Sequence, residues 1–224
     1  MLRFLEVTEA ATAPSTDRRR LRGERTRQAI LTHAAQVASS DGLEAVSFQR
    51  LATDLGISKS GLFAHFGSKE ELQLATVEEA GRIFTREVLK PGLKPPAGLA
   101  RVWAMCSSYL SYLKRGVFPG GCFFEAAVAE FDSKPGPVRD AVVARRHYWV
   151  ESLARAVRGA QGVEEVRADV DPVQLAWELD WILVGANGRF VVDGGNEVFE
   201  RARRALRDRL ERVATESAAR LPNR

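Results

Sequence analysis

The segment from residue 47 to residue 66 constrains the fold most, because it has the pattern of two short helices joined at a glycine. Ser47 and Ser58 each precede a run with helical periodicity, and a serine at that position caps the first helical turn. Gly56 lies between the two runs, where the tight turn of a helical hairpin often contains glycine. Ala52 lies four residues earlier, where a small side chain lets two helices cross closely. The spacing therefore predicts a helix-turn-helix motif.

The second short helix of this motif divides into an inner and an outer face. Leu62 and Phe66 are expected to point into a core together with Leu51, Leu55 and Ile57. Lys59, Ser60 and Phe63 then face outward at the start of the helix. A recognition helix presents its N-terminal residues to the major groove of DNA in this way. Because Lys and Gln side chains can pair with guanine and adenine edges, we expect base readout from Lys59, Ser60 and Gln49.

Helical periodicity continues on both sides of the motif, without strand alternation, and predicts an all-α chain of about nine helices. The first helix is expected from about Arg22 to Asp41. Ser68 and Glu71 form a capping box for a fourth helix that reaches about Leu89. Further helices are expected over 98–114, 122–131, 137–160, 172–192 and 197–219. The predicted domains are a flexible basic arm at 1–21, a three-helix helix-turn-helix domain at 22–67 and a larger helical domain at 68–224.

Positive charge is concentrated at the two ends of the chain. Residues 18 to 27 contain six arginines and one glutamate, whereas the formal net charge of the whole chain is only +4. A basic arm beside a DNA-binding motif suits phosphate backbones. We hypothesise that Arg18, Arg19, Arg20 and Arg22 reach along the backbone or into a minor groove. A solvated, disordered tail is the alternative.

Other classes of protein are not supported by the sequence. It contains no Gly-rich phosphate loop, nucleophile elbow or paired-carboxylate motif, so we expect no enzymatic activity and no catalytic residue. Its three histidines have no metal-ligand spacing, and neither a metal nor another cofactor is expected. Its two cysteines do not make a disulfide framework. No apolar run has the length of a signal peptide or a membrane span, and a cytoplasmic protein without a membrane partner is expected.

Residues 51–72, LATDLGISKSGLFAHFGSKEEL, resemble the helix-turn-helix of the TetR/AcrR family, and Arg25-Thr26-Arg27 resembles its first helix. The motif match covers about residues 22 to 75, and the remainder is similar in helix count, length and order. The resemblance implies a sequence-specific DNA-binding transcriptional regulator, a repressor that a small-molecule effector releases from its operator. It also implies a homodimer on a near-palindromic double-stranded DNA operator, and an effector cavity in the C-terminal domain.

The resemblance assigns DNA contacts residue by residue. It implies that Thr26 contacts phosphate and that His65 and Lys69 touch the backbone, Lys69 beside a helix N-terminus. Phe63 stands where the family usually has tyrosine, which removes one phosphate hydrogen bond. A surface role for His65 and partial core packing for Phe63 are the alternatives. The complete expected set is Arg25, Thr26, Ser47, Gln49, Ser58, Lys59, Ser60, Gly61, Phe63, His65 and Lys69.

Two amphipathic helices near the C-terminus are expected to pair with those of a second copy. The first has a stripe at Val173, Trp177, Asp180-Trp181 and Val184. The second has a stripe at Phe199, Ala202, Leu206, Leu210 and Val213. One-sided packing against the protein's own core is the alternative, since any surface helix needs an apolar face.

Aromatic residues and scattered polar groups in the middle helices describe either an ordinary core or a small-molecule pocket. The predicted pocket residues are Trp103, Cys106, Tyr109, Phe124, His147 and Trp177. Effector binding would tilt the DNA-binding heads by shifting a two-state population, with the fourth helix as the lever. A disulfide between Cys106 and Cys122, which would make a redox sensor, and a helical scaffold that binds no DNA are the alternatives.

Overall fold

The computed structural model describes residues 15–218 and 220–221, and nine helices follow one another within them. They are α1 (Ser15–Asp41), α2 (Phe48–Leu55), α3 (Lys59–Phe66), α4 (Lys69–Phe84, prolonged by a π-helical turn Thr85–Leu89 and a last turn Lys90–Gly92), α5 (Leu99–Lys114), α6 (Phe123–Phe131), α7 (Pro137–Gly162), α8 (Pro172–Asp193) and α9 (Glu197–Glu211). A 3₁₀ turn, Leu43–Ala45, joins α1 to α2. Because these described residues contain no strand, the all-α prediction is confirmed.

Serine caps start three of the first four helices where the sequence predicts them. The side chains of Ser47, Ser58 and Ser68 accept hydrogen bonds from the backbone N–H three residues later. Gly56 ends α2 in the left-handed conformation, with φ of 63°, and thereby turns the chain into α3. The hairpin of the motif is therefore fixed by local interactions that the sequence displays directly.

The two ends of the helical region differ from the prediction. Helix α1 begins at Ser15 rather than near Arg22, so residues 15–21 of the predicted arm are helical, while residues 1–14 lie outside the described residues. Arginine is a good helix former, and apolar periodicity does not report that propensity. Helix α9 ends at Glu211, because Arg167 and Thr215 then form backbone hydrogen bonds that tie residues 213–215 to the loop before α8.

Helices α1 to α3 form a small head whose buried apolar residues join the core of the larger domain. Leu43, Leu51 and Leu62 are completely buried there, and Phe66 is almost so. On the surface of the head, Asp54 of α2 accepts from the imidazole of His33 in α1 at 3.0 Å. The two short helices are thus held on α1 by both apolar packing and a polar contact.

Helices α4 to α9 form the larger domain around α5, which buries Trp103, Tyr109 and Tyr112. Helix α9 packs its apolar stripe against α5 and α8. The stripe, at Phe199, Ala202, Leu206, Leu210 and Val213, is at most 6% exposed. The prediction that this stripe meets a second copy is therefore wrong, because the chain's own core already covers it. Among the described helices, none combines the length and the apolar character that a membrane crossing requires.

Candidate DNA-binding face and effector cavity

The N-terminal turn of α3 forms an exposed polar face on the head. The Ser58 hydroxyl accepts from the backbone N–H of Gly61 at 3.1 Å, and Lys59 and Ser60 are exposed beside it. Gly61 suits this cap, since a Cβ there would lie 3.0 Å from the Ser58 oxygen. Leu62, completely buried, anchors the helix from behind. Residues 58–61, which form this turn, are therefore all exposed and accessible to a partner molecule.

Phe63 combines the two roles that the sequence left open. Its side chain is 53% exposed, while its ring packs against that of Phe48 in α2 with centroids 5.3 Å apart. Gln49, the residue after Phe48, is exposed. Ser47 is half-buried, and its hydroxyl accepts from the Arg50 backbone N–H at 3.2 Å. The contact between Phe48 and Phe63 therefore places an apolar ring beside the exposed turn of α3.

Some of the residues predicted to contact the DNA backbone already make contacts within the chain. Thr26 donates its hydroxyl proton to the carbonyl of Arg22, and Arg25 is exposed one residue earlier. The half-buried His65 lies against Phe66. The Lys69 ammonium donates to the Glu44 carboxylate at 2.7 Å, and this hydrogen bond lowers the pKa of Glu44.

Glu44 is a residue that sequence reasoning missed. It lies 25 positions from Lys69, and no local pattern links the two. Because the carboxylate holds Lys69, a phosphate that binds Lys69 must compete with Glu44 for the ammonium.

A small cavity lies between α4, α5, α6 and α7 in the larger domain, and four aromatic side chains line it. Phe84 meets Tyr109, Phe124 and Trp149 edge to face, with centroids 6.1, 6.0 and 5.3 Å from its own. The volume of the cavity is about 10 Å³, which is room for at most one water molecule. A π-helical turn starts directly after Phe84, and such turns occur frequently at functional sites.

A buried cluster of charges forms one side of this cavity. The Arg146 guanidinium makes a bidentate pair with Asp180 of α8 and also contacts the Glu125 carboxylate at 3.0 Å. The indole N–H of Trp149 donates to Asp180 at 2.9 Å. Burial raises the pKa of Glu125, and the neighbouring Asp180 raises it further against the attraction of Arg146. One buried carboxylate, Asp180, and one half-buried carboxylate, Glu125, therefore share one guanidinium.

Two buried phenol groups lie close to the Cys122 thiol, and one of them, Tyr109, lines the same cavity. Among the described residues, the buried hydroxyl oxygens of Tyr109 and Tyr112 have no hydrogen-bond partner. Burial raises the pKa of both phenols well above the ordinary value, and the nearby Cys122 thiol adds to the shift. Buried polar groups without partners are rare in folded proteins, and an additional molecule can satisfy them.

The structure brings together only part of the predicted pocket. Tyr109 and Phe124 line the cavity, and Cys106 is completely buried, close enough to Asp180 for that charge to raise its pKa. Trp103 packs under the guanidinium of Arg207, 4.8 Å away, and does not line the cavity. Of the remaining two, His147 is exposed on α7 and Trp177 on α8.

Several cavity residues were missed, although two of them carry a signal in the sequence. Glu125 follows two phenylalanines and precedes two alanines and a valine, and Asp180 stands between Leu179 and Trp181. A single acid inside an apolar helical run indicates a buried, paired carboxylate. The partner could not be read from the sequence, because Arg146 is one of two adjacent arginines on a helix rich in arginine.

The two cysteines are free and buried. Burial raises the pKa of Cys106 to about 12 and also raises that of Cys122. Since the thiolate is the reactive form, such thiols are inert at neutral pH. The redox alternative has no support.

Helix α6 connects the cavity to the head. Phe124 and Glu125 line the cavity from its first turn, and near its other end the Glu130 carboxylate accepts from the backbone N–H groups of Leu43 and Glu44, at 2.5 and 2.9 Å. These two donors open the 3₁₀ turn that leads into α2.

The loop before α6 also touches the head, at Gly120. A Cβ at this position would lie 1.8 Å from the carbonyl oxygen of Ser39 in α1, so only glycine fits. The Gly120 backbone N–H donates to the Ser39 hydroxyl at 3.3 Å.

An exposed apolar strip runs along α8. Val173, Trp177 and Trp181 are 54%, 52% and 54% exposed, and the two indoles pack edge to face, 5.7 Å apart. Gly185 and Gly188 follow on the same helix, both exposed, and a Cβ on either would meet nothing within 4 Å. An exposed glycine in the middle of a helix destabilises the fold by about 0.5–1 kcal/mol relative to alanine. Since alanine would fit at both positions, the isolated chain does not require glycine there.

Comparisons with known proteins match both parts of the chain. The family model for bacterial regulatory proteins of the tetR family matches residues 30–76, and the model for the tetracyclin repressor-like C-terminal domain matches residues 98–206. No curated protein sequence matches the chain.

Solved structures are similar over most of the chain. A TetR transcriptional regulator from Chloroflexus aurantiacus shares 25% identity at a TM-score of 0.79, over 87% of this chain and 98% of that one. A TetR-family regulator from Streptomyces coelicolor shares 25% identity at 0.72, over 91% and 96%. The regulator AibR, solved with isovaleryl coenzyme A and operator DNA, shares 22% at 0.61, over 80% and 95%.

Proposed function

Because the chain belongs to the TetR family of DNA-binding transcriptional regulators, we propose that it represses transcription as a homodimer and releases its operator when a small molecule enters the cavity. The observation that carries this proposal is the open face of α3. Lys59 and Ser60 extend from a capped helical start, and buried Leu62 and Phe66 hold that helix from behind. A major groove accepts such a helix.

Bases and phosphates are contacted by different parts of the head in this proposal. Lys59, Ser60 and Gln49 are proposed to read base edges, because all three are exposed and carry groups that can hydrogen-bond to bases. Gly61 lets the backbone approach the DNA. The residues proposed to contact the sugar–phosphate backbone are Arg25, Thr26, Ser47, Ser58, Phe63, His65 and Lys69, with Phe63 contributing apolar contact only.

The arginines at the start of α1 contribute the salt-dependent part of the affinity. Arg18 and Arg22 are exposed on the first turns of that helix. Each phosphate contact adds about 0.9 to the slope of log K against log salt. Replacing both with alanine is expected to reduce the slope by about 1.8, whereas the same change at Lys94, exposed beyond α4, leaves it unaltered. An unaltered slope in the double variant would show that these arginines do not touch DNA.

A second copy is proposed to pack against α8 and the adjoining face of α7. The indoles of Trp177 and Trp181 supply apolar area, and Tyr148 of α7 is 51% exposed. Gly185 and Gly188 allow two helices to approach closely, which explains glycines that the isolated chain does not require. A two-fold dimer of this kind matches a near-palindromic operator.

The effector signal is proposed to travel through α6 as well as α4. Phe84 belongs to α4 and Phe124 to α6, so a molecule that enters must push these rings apart and thereby acts on both helices. Helix α4 follows α3 after the short turn at Gly67 and Ser68, while α6 holds the start of the 3₁₀ turn through Glu130. A ligand that favours one arrangement of the two helices therefore shifts the population of DNA-binding heads.

Selection of bound DNA from a random library tests the proposal as a whole. The expected product is a near-palindrome whose half-site centres lie about one helical turn, or a multiple of it, apart. Lys59→Ala is expected to lose preference at one base position in each half-site, and Lys94→Ala to select the same sequence as the wild type. A selection without any consensus would overturn the proposal.

A further inference from the structure

We infer that the groove between the end of α4, α5 and α9 binds a small hydroxylated carboxylate of the sugar-acid class. The groove has a volume of about 420 Å³, within the range of roughly 300–1,000 Å³ that small-molecule sites occupy. It shares no lining residue with the cavity between α4, α5, α6 and α7. The inference therefore goes beyond the proposed function and does not rest on it.

The charged residues that line the groove leave one positive charge without a partner. Arg115, directly after α5, pairs with Glu87 of the π-helical turn at 2.8 Å, and Glu87 also pairs with Arg86. Arg203 of α9 makes no hydrogen bond or ion pair within the part of the chain that the structure describes. A carboxylate matches this single guanidinium and can accept two parallel hydrogen bonds from it. A phosphate monoester, with a charge of about −1.5 to −2, would leave surplus negative charge beside Glu87.

Serine hydroxyls on α5 provide the second part of the recognition. Ser108 and Ser111 lie about one helical turn apart, and both line the groove and are half-buried. Neither hydroxyl makes a hydrogen bond to any described residue. Ser107 lines the same wall, and its buried hydroxyl oxygen also has no partner among those residues. Because a serine hydroxyl both donates and accepts, Ser108 and Ser111 can pair with the hydroxyl groups of a ligand whose carboxylate binds Arg203.

The apolar part of the groove favours a polyhydroxylated chain over a flat aromatic ligand. Pro91, Trp103 and Ala104 form this part. Trp103 is only 4% exposed, and the guanidinium of Arg207 lies over its ring at 4.8 Å. The indole is therefore a wall of the groove and not an open surface on which an aromatic ring could stack.

The groove lies on a different flank of α9 from the one that meets α8. Arg203 and Arg207 are four residues apart and share the flank towards Trp103. Arg209, on another flank, pairs with Glu178 of α8. A second copy that packs against α8 in the proposed way therefore leaves the groove open.

Gluconate and sorbitol form a matched pair of probes, because both are open chains of hydroxyl groups and only gluconate has a carboxylate. Isothermal titration calorimetry on the full-length protein at constant ionic strength measures both. Gluconate is expected to bind tighter than sorbitol by about tenfold or more, since hydrogen bonds to a charged group are stronger than neutral ones. Hexanoate, which has the carboxylate without the hydroxyl groups, is expected to bind more weakly than gluconate. Equal or tighter binding of sorbitol or hexanoate, or no saturable binding of gluconate, would overturn the inference.

Replacement of Arg203 locates the carboxylate within the groove. Arg203→Gln removes the charge and keeps a long polar side chain, and it is expected to weaken gluconate binding by about tenfold. Arg204→Gln is the matched control, because Arg204 is the next residue of α9, is exposed and does not line the groove. This control should bind gluconate as the wild type does. Unchanged binding by a folded Arg203→Gln variant would refute the assignment.

Replacement of Ser108 and Ser111 together by alanine tests the hydroxyl contacts. Alanine is the strongest helix former, so α5 is expected to keep its structure in this double variant. Gluconate binding is expected to weaken by about fivefold and hexanoate binding to stay unchanged, since only gluconate has hydroxyl groups that lose a partner. Unchanged gluconate binding, or an equal loss for both ligands, would refute recognition of a hydroxylated ligand by these serines.

Discussion

Replacement of Glu130 by alanine tests whether α6 holds the DNA-binding head. Its carboxylate accepts from the N–H groups of Leu43 and Glu44, which are the first donors of the 3₁₀ turn and have no partner within it. A hydrogen bond to a charged group contributes about 1.5–3 kcal/mol. Because Glu130 is half-exposed and water replaces part of each bond, we expect a loss of about 2 kcal/mol for the two together.

Hydrogen exchange measures this loss at the two amides themselves. A loss of about 2 kcal/mol in local stability corresponds to roughly 30-fold faster exchange at Leu43 and Glu44, since each 1.4 kcal/mol is a factor of ten. Glu130→Gln keeps an acceptor oxygen and is expected to give about half the free-energy change. Glu151→Ala, which loses an exposed pair with Arg158, should leave both amides unchanged. Unaltered exchange in Glu130→Ala would refute the reasoning.

Three further predictions concern DNA, the second copy and the thiols. Lys59→Ala is expected to weaken binding to the preferred operator by about 1–3 kcal/mol and to relax the preference at one base position. Lys69→Ala is expected to weaken binding to all sequences alike. Competition binding at two salt concentrations distinguishes the two outcomes. Gly185→Leu is expected to produce a helical monomer in light scattering, because a side chain there separates the two helices, and a persisting dimer would contradict this. The Cys106 thiol, with its pKa of about 12, should resist alkylation at pH 8 until the protein unfolds, so rapid labelling of the folded protein would contradict the burial.

Local signals explain why the helix-turn-helix was predictable from the sequence. A serine cap, a left-handed glycine and an apolar face each act within a few residues, so Ser58, Gly56 and Leu62 determine the hairpin almost independently of the rest of the chain. The start of α1 at Ser15 escaped the same reasoning, because arginine propensity extends a helix without apolar periodicity.

The amphipathicity of α8 and α9 did not predict which of the two helices packs its apolar stripe against the chain's own core. The stripes on α8 and α9 look alike in the sequence, yet Leu206 is completely buried within the chain and Trp181 is 54% exposed. A stripe shows only that one face of a helix needs a partner. The three-dimensional packing decides whether that partner is the chain's own core or a second copy.

The charged residues beside the cavity could be predicted even less well, because their chemistry depends on contacts between residues that are far apart in the sequence. Asp180 and Arg146 are 34 positions apart, and their bidentate pairing leaves Glu125 with a single contact. A sequence reveals that an acid lies in an apolar run, but not whether its charge is already neutralised. The structure supplies the ratio of two carboxylates to one guanidinium, which no pattern within any one of the three helices displays.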